Sequence, residues 1–162
     1  MHKTSGKSLF DIENITHLKE CSSTNDFLID LIKNSNCKEG KVVSTNFQSS
    51  GRGQRNNNWI SEKNANLTFS LLVEPNLKIS YQFYLNIISS LTLYKVLFSI
   101  LGRHVKIKWP NDIYYKNKKI AGILVENIVK YKNIQKSIIG FGINVNQKQF
   151  PISNAVSIFL FL

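Results

Sequence analysis

The chain predicts an α+β fold, with helices packed against an antiparallel or mixed sheet. Three observations carry that prediction. A length of 162 residues suits one domain with a sizeable core. Apolar residues recur at helical spacing in two segments, while most other segments show the alternation and β-branched enrichment of strands. The later strands follow one another through short turns, which implies antiparallel pairing rather than alternating βαβ units.

Taken in order, residues 15–21 read as a strand leading into a helix that begins near Thr24. Phe27, Leu28, Leu31 and Ile32 form its apolar stripe, and Ser23 with Asp26 three residues on supplies a capping pattern. Residues 41–48 and 66–74 alternate as strands, joined by a glycine-punctuated loop. Residues 80–101 make the main helix, closed by Gly102. Within it, residues 85–101 are too short and too interrupted by Asn86, Ser89, Ser90, Thr92 and Lys95 for a membrane span, and read as a buried helix. Strands follow at 105–109 and 112–115, with Pro110 marking a bend between them. Turns at 117–118 and 130–133 then lead into strands at 119–129 and 134–145.

Composition narrows the function. Cys21 and Cys37 have neither metal-ligand spacing nor the density of a disulfide scaffold, and read as thiols in a reducing compartment. Residues 1–8 are polar and basic with no apolar core behind them, so no secretory signal is expected and the cytosol is the default. The net charge of +11 comes from scattered lysines, a solvated basic surface more than a nucleic-acid footprint; attraction of an acidic protein partner is another use for it. His2, His17 and His104 lie outside every motif, and no nucleophilic triad or metal cluster is expected.

The motif residues are of another kind. Gly51-Arg52-Gly53-Gln54-Arg55-Asn56-Asn57-Asn58-Trp59 is a loop with fixed guanidinium charge that ends on an aromatic, suited to clamping a small anion. Ser23-Thr24-Asn25 and Gln48 precede it. Lys108-Trp109-Pro110-Asn111-Asp112, Lys119-Ile120-Ala121-Gly122-Ile123-Leu124-Val125-Glu126 and Gly140-Phe141-Gly142-Ile143-Asn144 follow. Such groups position and stabilise anions rather than attack, which suits adenylation: a carboxylate is already the nucleophile and needs alignment with the α-phosphate of ATP.

In this order and company the segments resemble the signature loops of the biotin protein ligases, from Ile15 to Ile158. The resemblance implies the fold shared with class II aminoacyl-tRNA synthetases, and ATP-dependent biotinylation through biotinyl-adenylate with Mg2+ as counter-ion. The acceptor it implies is a lysine of biotin carboxyl carrier protein, in acetyl-CoA carboxylase or a related carboxylase. Carried over by position, Ser23, Thr24 and Asn25 contact the ureido head group of biotin, and Gln48 also contacts biotin. Gly51, Arg52, Gly53 and Gln54 close over the ligand, with Arg52 on its carboxylate or phosphate. Lys119 bridges carboxylate and α-phosphate, and Asp112 accepts a hydrogen bond or proton from the acceptor lysine. Arg55, Trp59, Asn111 and Asn144 belong to the nucleotide side, with an ordinary strand-end amide equally open for Asn144. For Trp59, a cover on the adenine, an anchor for the loop and ordinary core packing all stand open.

The sequence departs from the family pattern at Gln54, where many members have arginine, and at Asn56, where glycine is common. Both bear on retention of the adenylate. The whole chain, residues 1–162, reads as the catalytic domain, without the N-terminal winged helix-turn-helix of bifunctional members, so sequence-specific DNA binding is not expected. Residues 154–158 resemble the segment that introduces further helices and a small barrel, which makes the domain incomplete at its C-terminus. The apolar residues 158–162 then form an exposed tail. A lipoate ligase and a non-catalytic biotin-binding remnant are the competing readings.

Overall fold

Ser23 starts the first helix. Its backbone is extended, its hydroxyl accepts the Asp26 N–H at 3.4 Å, and α1 (Thr24–Asn34) follows with Asp26 in its first turn and Lys33 in its last, both complementing the helix dipole. The helix is a crossover between β1 (Ile15–Leu18) and β2 (Val42–Thr45), which pair in parallel with Ile15 beside Val42. The chain therefore opens on a βαβ unit where the sequence suggested none, because a helix between two neighbouring strands returns the second in the direction of the first.

The computed structural model describes residues 12–151 and 154–161; residues 1–8, read for targeting, and Leu162 lie outside them. After β2 come β3 (Asn66–Val73), β4 (Leu77–Lys78), α2 (Phe83–Leu101), β5 (Val105–Lys108), β6 (Asp112–Tyr115), β7 (Lys118–Lys130) and β8 (Asn133–Asn144). One mixed sheet runs β1-β2-β3-β8-β7-β6-β5, with β4 paired to the far end of β8. Among the described strands only β1 and β2 pair in parallel; isolated parallel bridges join Cys21 to Gln48 and Lys119 to Ala155.

Several strands are shorter than their sequence pattern. Pairing lapses after Leu18 and resumes as an isolated bridge, with Cys21 N–H on Phe47 C=O and Ser49 N–H on Cys21 C=O. Thr45 ends β2 by accepting the Phe47 N–H on its own hydroxyl, a local bond that turns the chain. The β7–β8 turn uses Tyr131 and Lys132, both at positive φ (50° and 66°), the backbone twist a two-residue hairpin needs.

Residue parity assigns the two faces of the sheet. On β8, Ile138 packs with Leu72, Val43 and Leu28 under α1, whereas Ile139, Phe141 and Ile143 pack with Leu93, Leu97 and Ile113 under α2. The helices thus cover opposite faces. Partners in the antiparallel register share a face, so Gly140 and Gly142 of β8, Thr68 and Ser70 of β3, and Gly122, Leu124 and Glu126 of β7 all point to the α1 side.

Two expectations are corrected here. Residues 85–101 are not a buried helix: only one stripe of α2 (Leu85, Ser89, Ser90, Leu93, Leu97) is buried, while Tyr84, Ile88, Leu91, Val96 and Phe98 are exposed. Residues 79–104 are long and apolar enough by length and composition to cross a membrane, and in this fold the buried stripe lies on the sheet. The tail is not simply exposed either. Ile158 and Phe161 pack on the core, the Phe161 ring standing 4.4 Å from that of Tyr115, although Phe159 and Leu160 stay half-exposed.

Cys21 and Cys37 are free and partly buried, and burial pushes both thiols above the ordinary range. A raised pKa lowers the thiolate fraction at neutral pH. Iodoacetamide should therefore alkylate the native protein about tenfold or more slowly than the urea-unfolded chain at pH 8, by mass spectrometry. Equal rates would contradict the burial.

Candidate active site

On the α1 face the sheet carries a floor without side chains. Gly122, Gly140 and Gly142 lie side by side across β7 and β8, because Gly122 pairs with Gly142 and Leu124 with Gly140. Above them opens a cavity of about 270 Å³ walled by α1, the Gly51–Trp59 loop and the β5–β6 bend, near the lower bound for small-ligand sites. The close approach is required: a Cβ on Gly142 would fall inside the Trp59 indole, and one on Gly140 would collide with the Asn25 amide oxygen.

One wall is a buried polar network. Gln48 Oε1 accepts the Thr24 N–H at 2.7 Å and the Thr24 hydroxyl at 3.1 Å. Ser70, fully buried on β3, donates within the same network, its hydroxyl lying 2.7 Å from Thr24 Oγ1 and 2.5 Å from Asn25 Oδ1. Asn25 Nδ2 donates to Glu126 Oε2 at 2.7 Å. Thr24 and Asn25 are thus fixed by the helix start and by the sheet together. Ser70→Ala should cost about 1–3 kcal/mol in urea unfolding, since it leaves buried partners unmet; a loss below measurement would show the network to be slack.

The glycine-punctuated loop is a closed hairpin. Trp59 N–H donates to Gly51 C=O at 2.8 Å and Gly53 N–H to Asn57 C=O at 2.7 Å, with Arg52 bridged to Asn58. Gly51 is needed for close packing, as a Cβ there would sit 2.5 Å from the Trp59 carbonyl oxygen. At the loop tip Arg55 takes a positive φ of 54°, and its side chain is exposed. Arg52 bonds Asp26 and Glu126. Its partial burial works against the charge, but these two carboxylates outweigh it and raise its pKa above the ordinary guanidinium value.

At the Gly122 end stand Lys119 and Asp112. Lys119 Nζ is 2.7 Å from Asp112 Oδ1 and lies over the Trp59 ring, 5.8 Å from its centroid. The Lys119 backbone is held from both sides by the C-terminal segment: its N–H donates to Asn154 C=O and its C=O accepts the Val156 N–H, each at 2.9 Å. Asn111 is likewise tied to β7, its Nδ2 donating to Ile123 C=O at 2.9 Å. Trp59 Nε1 is buried and has no hydrogen-bond partner among the described residues.

Of the residues expected at the site, the cavity brings together Ser23, Thr24, Asn25, Gln48, Arg52, Gly53, Gln54, Arg55, Trp59, Asn111, Asp112 and Lys119. Gly51 supports the wall from behind. Asn144 does not line the cavity: it is buried at the end of β8 and donates to Val156 C=O at 3.1 Å, in the segment that also holds the Lys119 backbone. His17 and His104 are also elsewhere, beside Ser44 and Tyr115. Thr68 and the three floor glycines had no assigned role. Their parity on paired strands is the signal that finds them.

A model of the biotin/lipoate A/B protein ligase family matches residues 18–144. The bifunctional ligase/repressor BirA of Escherichia coli is 32% identical over 136 residues, which are 84% of this chain and 42% of that protein. Among solved structures, the biotin protein ligase of Aquifex aeolicus in complex with biotin and ATP superposes with a TM-score of 0.74 at 30% identity, over 92% of this chain and 61% of that one. That of Leishmania major in complex with biotinyl-5-AMP gives 0.74 at 29% identity, over 91% and 64%. The chain spans less than half the length of these curated relatives, and its fold is that of the biotin protein ligases. With a family model covering most of its length and that fold, the chain belongs to the biotin/lipoate A/B protein ligase family.

Proposed function

We propose that this chain activates biotin with ATP and transfers the biotinyl group to a lysine of biotin carboxyl carrier protein, in the cytosol. The observation that carries the reading is one cavity lined both by the buried Thr24, Asn25 and Gln48 network and by the cations Arg52, Arg55 and Lys119. The first set suits a neutral ureido ring, whose donors and acceptors need short polar partners held in place. The second suits a carboxylate meeting a triphosphate. Between them Gly122, Gly140 and Gly142 let the Asn25 amide and the Trp59 ring pack directly on the sheet, which brings the two sets into one cavity.

In the first step a biotin carboxylate oxygen attacks the α-phosphorus of magnesium-bound ATP, and the bond to pyrophosphate breaks. Lys119 leaves Asp112 to bridge the carboxylate and α-phosphate, where its charge counts most as negative charge builds. Trp59 Nε1 supplies a donor to the bound ligand, and Asn111 with Arg55 borders the nucleotide. In the second step the acceptor amine attacks the biotinyl carbonyl and AMP leaves, with Asp112, released from Lys119, taking the proton. Gln54, a neutral amide where many relatives have arginine, holds the phosphate less firmly.

Incubation of the purified chain with biotin and magnesium-ATP should yield biotinyl-adenylate by mass spectrometry. A lipoate arm discriminates the competing substrate. Lipoyl-adenylate in place of the biotin product would overturn the substrate, and no adenylate from folded protein that binds biotin would favour a binding-only role.

A further inference from the structure

Two carboxylates on Arg52 have no role in the reaction proposed above. Nε and Nη2 of the guanidinium donate to Asp26 at 3.2 and 2.5 Å, and Nη2 also donates to the two oxygens of Glu126 at 3.0 and 2.9 Å. Asn25 closes the group through its bond to Glu126. The members come from separate elements: Asp26 from the first turn of α1, Glu126 from the cavity face of β7, Arg52 from the loop. Nη1 has no hydrogen-bond partner among the described residues, so one donor edge of the guanidinium remains for a ligand.

Charge and geometry pull apart in this group. One cation against two carboxylates leaves it net negative, so an arriving anion gains little from Arg52 as a bare charge. The planar fork, by contrast, is held on two sides by groups of the protein itself, and ordering supplied by the protein is not charged to binding. We propose that Asp26 and Glu126 are positioning residues: they clamp Arg52, tie the Gly51–Trp59 loop to α1 and β7 in the ligand-free protein, and present Nη1 to the anionic group of the substrate. The substrate half of this rests on the biotin-adenylation reading; the clamp itself does not.

The test uses the full chain carrying Asp26→Asn, Glu126→Gln or both, with folding checked by circular dichroism. Without ligand, tryptic cleavage after Arg52 and Arg55 should be about tenfold faster or more in the double variant, because the loop loses its tie. An unchanged cleavage rate overturns the clamp. In adenylate formation the KM for biotin should rise about tenfold while kcat stays within about threefold, since lost ordering burdens the ground and transition states alike. An unchanged KM, or a fall in kcat alone, overturns the positioning role. Failure of the unmodified chain to make adenylate would count against the biotin reading and leave the clamp to be decided by trypsin, which needs no substrate.

Discussion

Lys119→Ala is expected to slow biotinyl-adenylate formation by about a hundred- to a thousand-fold while the protein stays folded. The ammonium stands at the Gly122 end of the floor, 2.7 Å from a carboxylate it can exchange for a ligand oxygen. Its backbone bonds to Asn154 and Val156 do not depend on the side chain, so the strand should survive the truncation. Single-turnover measurement with biotin and magnesium-ATP separates the chemical step from product release. Lys119→Arg keeps the charge but alters its shape, and should recover only part of the rate. A folded alanine variant within threefold of the parent would remove Lys119 from the chemistry.

Gly140→Ala should weaken biotin binding by about five- to a hundredfold, from roughly 1–3 kcal/mol of overpacking. The added methyl collides with the Asn25 amide, and Asn25 cannot yield without loosening its bonds to Ser70 and Glu126. Calorimetric titration with biotin gives the affinity, and urea unfolding shows how much of the penalty falls on the fold instead. Unaltered affinity would mean that the seat of the Asn25 amide on Gly140 does not matter to binding. Gly122→Ala offers a comparison: its Cβ would meet only the end of the flexible Lys119 side chain and the Trp59 ring edge, at 3.2–3.4 Å, and the penalty should be smaller.

What could be read from sequence was local. Ser23 and Asp26 lie in one turn, and the helix begins where their capping pattern puts it. The segments expected to bind were visible as motifs, and the fold brings nearly all of them to one cavity. Interactions that depend on register or on distant partners were not visible. Arg52 lies 26 residues from Asp26 and 74 from Glu126, and nothing in the loop announces either. Gly140 and Gly142 stood out as a motif, but their purpose follows from facing Asn25 and Trp59 across the sheet. For Asn144 the sequence left a place beside the nucleotide and a strand-end amide equally open; its bond to Val156, 12 residues on, depends on a return of the chain that no local pattern announces. In α2 both faces are apolar, so periodicity could not separate the stripe on the sheet from the stripe that stays exposed.

The most direct test of the cavity as the place where biotin and nucleotide meet is a crystal structure of this chain with a non-hydrolysable biotinyl-adenylate analogue. The ureido ring should lie against Thr24, Asn25 and Gln48, with the acyl-phosphate linkage between Arg52 and Lys119 and the Lys119–Asp112 pair opened. An analogue bound away from the glycine floor, or seated there with Lys119 still on Asp112, would contradict the proposed arrangement.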